Sequence, residues 1–188
     1  MAYSVLFDAC VLYPAPLRDL CMSLAMEDIF RAKWTEQIHD EWIRNLLINR
    51  PDLRPEQLQR TRQLMNAHVE DSLVTHYEKL IPSLDLPDPN DRHILAAAIT
   101  GRCDVIVTFN LKDFPESNLK PFEIEAQDPD SFMLYQLDLF PGKFLNAINK
   151  HRLRLKNPPM NQKKYLEILL RQRLTQTVQA LKAYTDQI

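Results

Sequence analysis

The chain has 188 residues, enough for one domain and about 40 residues more at roughly 150 per domain. Apolar residues make up 45% and charged residues 26%, as in an ordinary globular protein, and the two glycines are too few for any Gly-rich phosphate loop. The net charge of −2 hides an imbalance: residues 1–142 hold 13 Lys+Arg against 23 Asp+Glu, and residues 143–188 hold 10 against 2.

Tyr3-Ser4-Val5-Leu6-Phe7 is a short apolar run that stops at Asp8, and it reads as a buried strand. Pro14 and Pro16 then break the chain. Leu17, Leu20, Cys21, Leu24 and Ile29 form the apolar stripe of a helix over 17–31. Thr35 is placed to cap a second helix with Ile38, Trp42, Ile43, Leu46 and Leu47 on its buried face, and Pro51 ends it near Arg50. Pro55 opens a third helix that reaches about Glu70, followed by an irregular stretch over 72–87. A fourth, alanine-rich helix spans 90–100, with Gly101 as its stop. Two more short strands are expected over 104–108 and 122–126. From Asp130 the pattern is helical, with helices near 130–137, 142–154 and 160–186 and a break at Asn157-Pro158-Pro159.

Strands alternating with helices indicate an α/β layer with a small, mainly parallel sheet. The change of charge sign divides the chain into an acidic body, 1–140, and a basic helical extension, 141–188. Such a tail fits either a nucleic-acid contact or a solvated helix that balances its own acidic domain. No apolar run approaches the ~18 residues of a membrane span, and no signal peptide is expected. Cys10, Cys21 and Cys103 lack metal-binding spacing and read as reduced thiols of a cytoplasmic protein.

In open parallel sheets, ligands sit at the carboxyl ends of the strands, where the first strand places Asp8. Asp88 and Asp91 bracket the start of the alanine-rich helix. Capping explains one acid there, best Asp88, and leaves Asp91 without that explanation. The next strand ends in Thr108-Phe109-Asn110-Leu111-Lys112-Asp113, which places a hydroxyl, an amide and a carboxylate together or forms a simple Asx-type turn. Glu41 flanks the buried stripe of its helix and faces either the sheet or solvent. Converging carboxylates repel one another and raise each other's pKa unless a cation joins them. Oxygen ligands of this kind select Mg²⁺ or Mn²⁺, and the natural chemistry is metal-assisted hydrolysis of a phosphodiester.

Four segments together, LFDACVLYP (6–14), IHDEWIRNLL (38–47), LPDPNDRHILAAAI (86–99) and VIVTFNLKDFP (105–115), resemble the PIN-domain ribonucleases, above all the VapC-type toxins of toxin–antitoxin pairs. The resemblance covers residues 3–135. It implies an α/β/α sandwich and Mg²⁺-dependent cleavage of RNA, often tRNA, as well as a cognate antitoxin and a homodimer. Residue by residue, the family's acids fall on Asp8, Glu41 and Asp91. The fourth position falls on the neutral Asn110, with Asp113 three residues later. Asp88 and Thr108 are auxiliary candidates, the latter to orient a water or phosphate or simply to close the strand. Arg92, Lys150, Arg152 and Arg154 are candidate RNA contacts. Arg92 and His93 read more simply as a solvated or interface helix face, and Cys10 reads as a small buried side chain.

Two rival readings remain at this level. One is a catalytically inactive PIN-fold module that binds RNA or a protein through the same groove, with Asn110 the sign of a decayed site. The other is a phosphatase with an Asp nucleophile; that chemistry wants a second Asp two residues after Asp8, where Cys10 stands.

Overall fold

The computed structural model describes residues 3–156 and 158–188; Asn157, the first residue of the expected break, lies outside them. Four strands form one sheet in the order β2-β1-β3-β4, with every neighbouring pair parallel. They are β1 (Ser4–Phe7), β2 (Arg31–Lys33), β3 (Val105–Val107) and β4 (Glu125–Gln127). Val5, Leu6 and Phe7 and all of β3 are buried, as expected of central strands covered on both faces.

Between β1 and β2 the chain forms α1 (Ala9–Leu12) and α2 (Ala15–Ala25). Between β2 and β3 it forms α3 (Glu36–Asn49), α4 (Pro55–His68) and α5 (Arg92–Thr100). The first crossover runs to one side of β1 and the second to the other. This reversal puts a topological switch point between the carboxyl ends of β1 and β3. α1 packs on α3 and α2 on β2, while α5 lies against β1 and β3.

Two α5 features fit it to the sheet. His93, Ile94, Leu95 and three alanines are buried along it. Gly101, at its end, leaves no room for a side chain: a Cβ there would stand 2.9 Å from Val74 Cγ2 and 3.3 Å from Cys103 Sγ. Gly101 itself has a right-handed φ of −76°, and the left-handed residue that reverses the chain is Arg102, at 51°.

After α6 (Glu116–Leu119) and β4 come α7 (Pro129–Leu139), α8 (Pro141–Arg154), α9 (Gln162–Arg171) and α10 (Thr175–Leu181). Phe132 of α7 packs edge-on against Phe7 and Phe30, with centroids 6.0 and 5.1 Å away. α8 packs on α2 and α10 on α7. One hydrophobic core runs from the sheet through Phe144, Ile148, Tyr165, Leu169, Val178 and Leu181.

Three expectations need correction. The helix expected over 17–31 ends at Ala25, because Asp28 turns left-handed (φ 53°) and Arg31–Lys33 pairs with β1 as an edge strand. The strand expected over 122–126 begins at Glu125, because Lys120–Phe122 forms a 3₁₀ turn and Glu123 is left-handed (φ 57°). The long helix expected over 160–186 is two α-helices followed by a 3₁₀ segment, Lys182–Gln187. It is interrupted at Arg173 (φ 67°), where Leu174 N donates to Leu169 O and Arg173 N to Leu170 O in a Schellman stop.

Candidate active site

Asp8 follows the last residue of β1 and is buried, at 7% exposure. Its backbone N–H donates to Val107 O of β3, so the sheet ladder itself fixes its place. Its Oδ2 accepts from Thr108 Oγ1 at 2.6 Å and from Cys10 Sγ at 3.1 Å. Thr108, fully buried, also accepts the Asn110 N–H at 3.0 Å. The Cys10 thiol accepts from Phe109 N at 3.4 Å and is pushed up to about 12, first by burial and then by the charge of Asp8. It is therefore a protonated donor to Asp8 rather than a nucleophile.

Asp88 and Asp91 divide the labour at the start of α5. Asp88 caps the turn, accepting Asn90 N on Oδ1 at 2.9 Å. Asp91 makes no capping bond. Its carboxyl is raised to about 6, first by burial and then by the charges of Asp8, Asp88 and Asp113, with His93 opposing. The structure thus brings Asp8, Asp88, Asp91 and Asp113 into one field of negative charge. Asp113 is half-buried on the 3₁₀ turn Leu111–Asp113, and Asn110 just before it is exposed.

Glu41 joins this group through His93. His93 Nε2 lies 3.0 Å from Glu41 Oε1, and Gln37 Nε2 donates to the same oxygen at 3.4 Å. Burial pushes the Glu41 carboxyl up, but the hydrogen bond and charge of His93 outweigh it and hold the group below its ordinary value. Sequence reasoning missed this role of His93. The signal was present: an imidazole on an otherwise apolar, buried helix needs a partner.

The donor set is chemically suited to a hard divalent ion. It offers carboxylate oxygens, and it leaves negative charge at Asp91 that a cation would relieve. Among the described residues no three His, Cys, Asp or Glu side chains are gathered at metal-ligand spacing.

The basic candidates are more dispersed. Arg92 pairs with Asp85 at 3.3 Å and Lys150 with Glu27 at 2.6 Å. Arg152 donates to Met160 O and Asn149 Oδ1, bracing the end of α8. Arg154 is exposed and has no hydrogen bond or ion pair among the described residues.

A family model described as PIN domain matches residues 4–112, and one described as VapC50 C-terminal domain matches residues 129–183. A 50-residue stretch is 60% identical to the protein named "Putative ribonuclease VapC50" of Mycobacterium tuberculosis. That stretch spans 27% of this chain and 30% of the relative's length. No solved structure matches. With more than half of its length matched, and with Asp8, Asp91 and Asp113 at the carboxyl edge of a parallel sheet, the chain belongs to the PIN-domain family.

Proposed function

We propose that this protein is a metal-dependent endoribonuclease that hydrolyses RNA phosphodiester bonds, and the toxin of a toxin–antitoxin pair. The observation that carries this reading is the placing of Asp8 just after β1 and Asp113 on the turn after the adjacent parallel strand β3, at the switch point; burial and then the charges of Asp8, Asp88 and Asp113 raise the carboxyl of Asp91 there. Asp8, Asp91 and Asp113, with Glu41, would hold Mg²⁺, or Mn²⁺ in its place. Such an ion, when bound, lowers the pKa of water and stabilises charge on the phosphate and leaving oxygen.

The chain's own groups do the positioning. Thr108 and Cys10 both donate to Oδ2 of Asp8, which leaves Oδ1 as the oxygen available for ligation. His93 keeps Glu41 ionised and oriented. Asn110 spends its backbone N–H on Thr108 and leaves its amide side chain exposed at the rim, where it and Asp113 complete the site.

The division into a nuclease part, 1–140, and a basic extension, 141–188, belongs to the same proposal. So do RNA contacts by Arg92, Lys150, Arg152 and Arg154, a cytoplasmic location, a homodimer, and an antitoxin that occupies the acidic groove. No helix among the described residues is long and apolar enough to cross a membrane.

One observation favours a second reading. The neutral, exposed Asn110 fits an inactive PIN module that binds RNA or a protein. Cleavage of total tRNA and rRNA fragments separates the two, with wild type and Asp8→Ala each assayed in Mg²⁺ and in EDTA. Discrete products lost in both controls support the nuclease. Wild type that binds RNA and leaves it intact in Mg²⁺ and in Mn²⁺ supports the inactive module.

A further inference from the structure

A site built from carboxylates repels the polyanion it is meant to cleave, so a cation must meet the strand at its rim. Three basic side chains are occupied: Arg92 by Asp85, Lys150 by Glu27, Arg152 by Met160 O and Asn149. Arg173 is placed differently. Its guanidinium lies over the ring of Phe109, 5.0 Å from the centroid. Phe109 follows Thr108 at the carboxyl edge of β3, and its N–H donates to the Cys10 sulfur that in turn donates to Asp8. Among the described residues Arg173 has no ion pair or hydrogen bond through its side chain. Stacking on an aromatic ring leaves the five guanidinium N–H donors free.

Two independent devices hold Arg173 there. It occupies the left-handed position of the Schellman stop of α9, where glycine is the favoured residue (φ 67°). The chain immediately after it is pinned to α7 by the buried Asp130, which accepts Gln176 N at 2.8 Å, Thr177 N at 2.9 Å and Thr177 Oγ1 at 2.8 Å. Arg102 sits in a similar left-handed stop, but at the opposite, amino edge of β3. The C-terminal helices therefore carry one arginine to the acidic edge of the sheet, in a backbone conformation that costs stability.

We propose that Arg173, presented by the α9–α10 turn and seated on Phe109, binds a phosphate of the RNA strand at the rim of the acidic site. This rests on the nuclease reading above, and makes the C-terminal helices part of the substrate site. Arg173 positions the strand and takes no part in bond making or breaking.

The test is Arg173→Gly in the full chain, with Arg173→Lys beside it. Glycine relieves the left-handed backbone, so the melting temperature holds or rises, whereas a merely structural arginine would lower it. Binding of fluorescein-labelled total tRNA is measured in Ca²⁺ over a range of NaCl concentrations. A backbone contact is sequence-independent, so a pool serves as probe. Arg173→Gly is expected to weaken binding about fivefold and to lower the slope of log K against log salt by about 0.7 to 1, whereas Arg173→Lys, which keeps the charge but not the stacked fork, keeps the slope and falls between the two in affinity. Glycine and wild type with equal affinity and equal slope would overturn the proposal, and so would a wild type that binds no RNA. If the acidic segment of a protein partner is the real occupant, the tRNA curves coincide and the proposal fails. Cleavage is scored separately. Loss of binding in Arg173→Gly with no cleavage by wild type supports the contact and sinks the nuclease. Normal cleavage with unchanged KM in Arg173→Gly does the reverse.

Discussion

The hydroxyl of Thr108, fully buried at the end of β3, donates a 2.6 Å hydrogen bond to Oδ2 of Asp8 at the end of β1. The same oxygen of Thr108 accepts the Asn110 N–H, so one side chain ties together the first carboxylate and the loop that carries Asp113. Valine has nearly the same shape and lacks the hydroxyl. Thr108→Val takes the acceptor from the Asn110 N–H and leaves the buried Asp8 carboxylate oxygen with Cys10 as its remaining donor, at a cost of about 1–3 kcal/mol. Thermal melts should show a drop of several degrees. RNA cleavage should fall at least tenfold, because Asp8 loses its strongest orienting bond. Thr108→Ser should recover most of both; a serine variant no better than valine would mean that the methyl, not the hydroxyl, matters.

Glu41 and His93 form the second pair. If His93 acts by orienting Glu41 toward the cation, its loss should appear in metal dependence. His93→Ala is expected to raise the Mg²⁺ concentration for half-maximal cleavage about tenfold or more, as outer-shell substitutions do. His93→Gln, whose amide can still donate to the carboxylate, should fall between. An unchanged Mg²⁺ titration in His93→Ala would reduce the pair to a packing contact.

What the residues revealed unaided follows from how local each cause is. Asp8 at a strand end, Thr35 accepting Ile38 N, and the stop before Pro51 depend on a few neighbouring residues, and all three stand where the pattern puts them. The split between Asp88 as cap and Asp91 as uncapped acid was legible for the same reason. The three-residue strand Arg31–Lys33 was hidden, because only pairing with β1 makes it a strand, and no pattern of period two fits in three residues. The break at Arg173 was equally hidden: arginine carries no turn signal, and tertiary anchoring by Asp130 overrides its preference. The contact of Arg173 with Phe109 joins residues 64 positions apart, beyond the reach of any motif.

Gly101 gives a steric prediction free of backbone strain, since its φ of −76° suits any residue. Gly101→Ala would gain up to about 1 kcal/mol from a stiffer unfolded chain. The added methyl would meet Val74 Cγ2 at 2.9 Å and Cys103 Sγ at 3.3 Å, in a region where Val74 and Cys103 are buried. Overpacking of this kind costs about 1–3 kcal/mol and wins. The variant should melt below wild type. Val74→Ala removes the clashing methyl groups, so the double variant Gly101→Ala, Val74→Ala should be more stable than the sum of the singles allows. Simple additivity would place the strain elsewhere.

His151 sets a pH limit on the C-terminal helices. It is 5% exposed on α8, its Nδ1 lies 2.7 Å from the Tyr165 hydroxyl, and its ring packs edge-on to Tyr165. Burial, and then the charge of Arg154, lowers its pKa to about 4 from the ordinary 6.5. The unfolded chain therefore binds this proton more tightly than the folded one. The stability that neutral His151 confers is whole above about pH 6.5 and is lost as pH falls toward 4. Between pH 7 and pH 5 the loss is about 2 kcal/mol, or roughly 4 to 8 °C in melting temperature for a chain of this size. His151→Asn keeps a polar atom near the position of Nδ1 and cannot titrate. Its melting temperature should start lower at pH 7 and decline less toward pH 5, by that same margin. The other buried histidine with a lowered pKa, His39, is present in both proteins and cancels from the difference. Parallel melting curves for the two proteins across this range would show that His151 is not the group that limits acid stability.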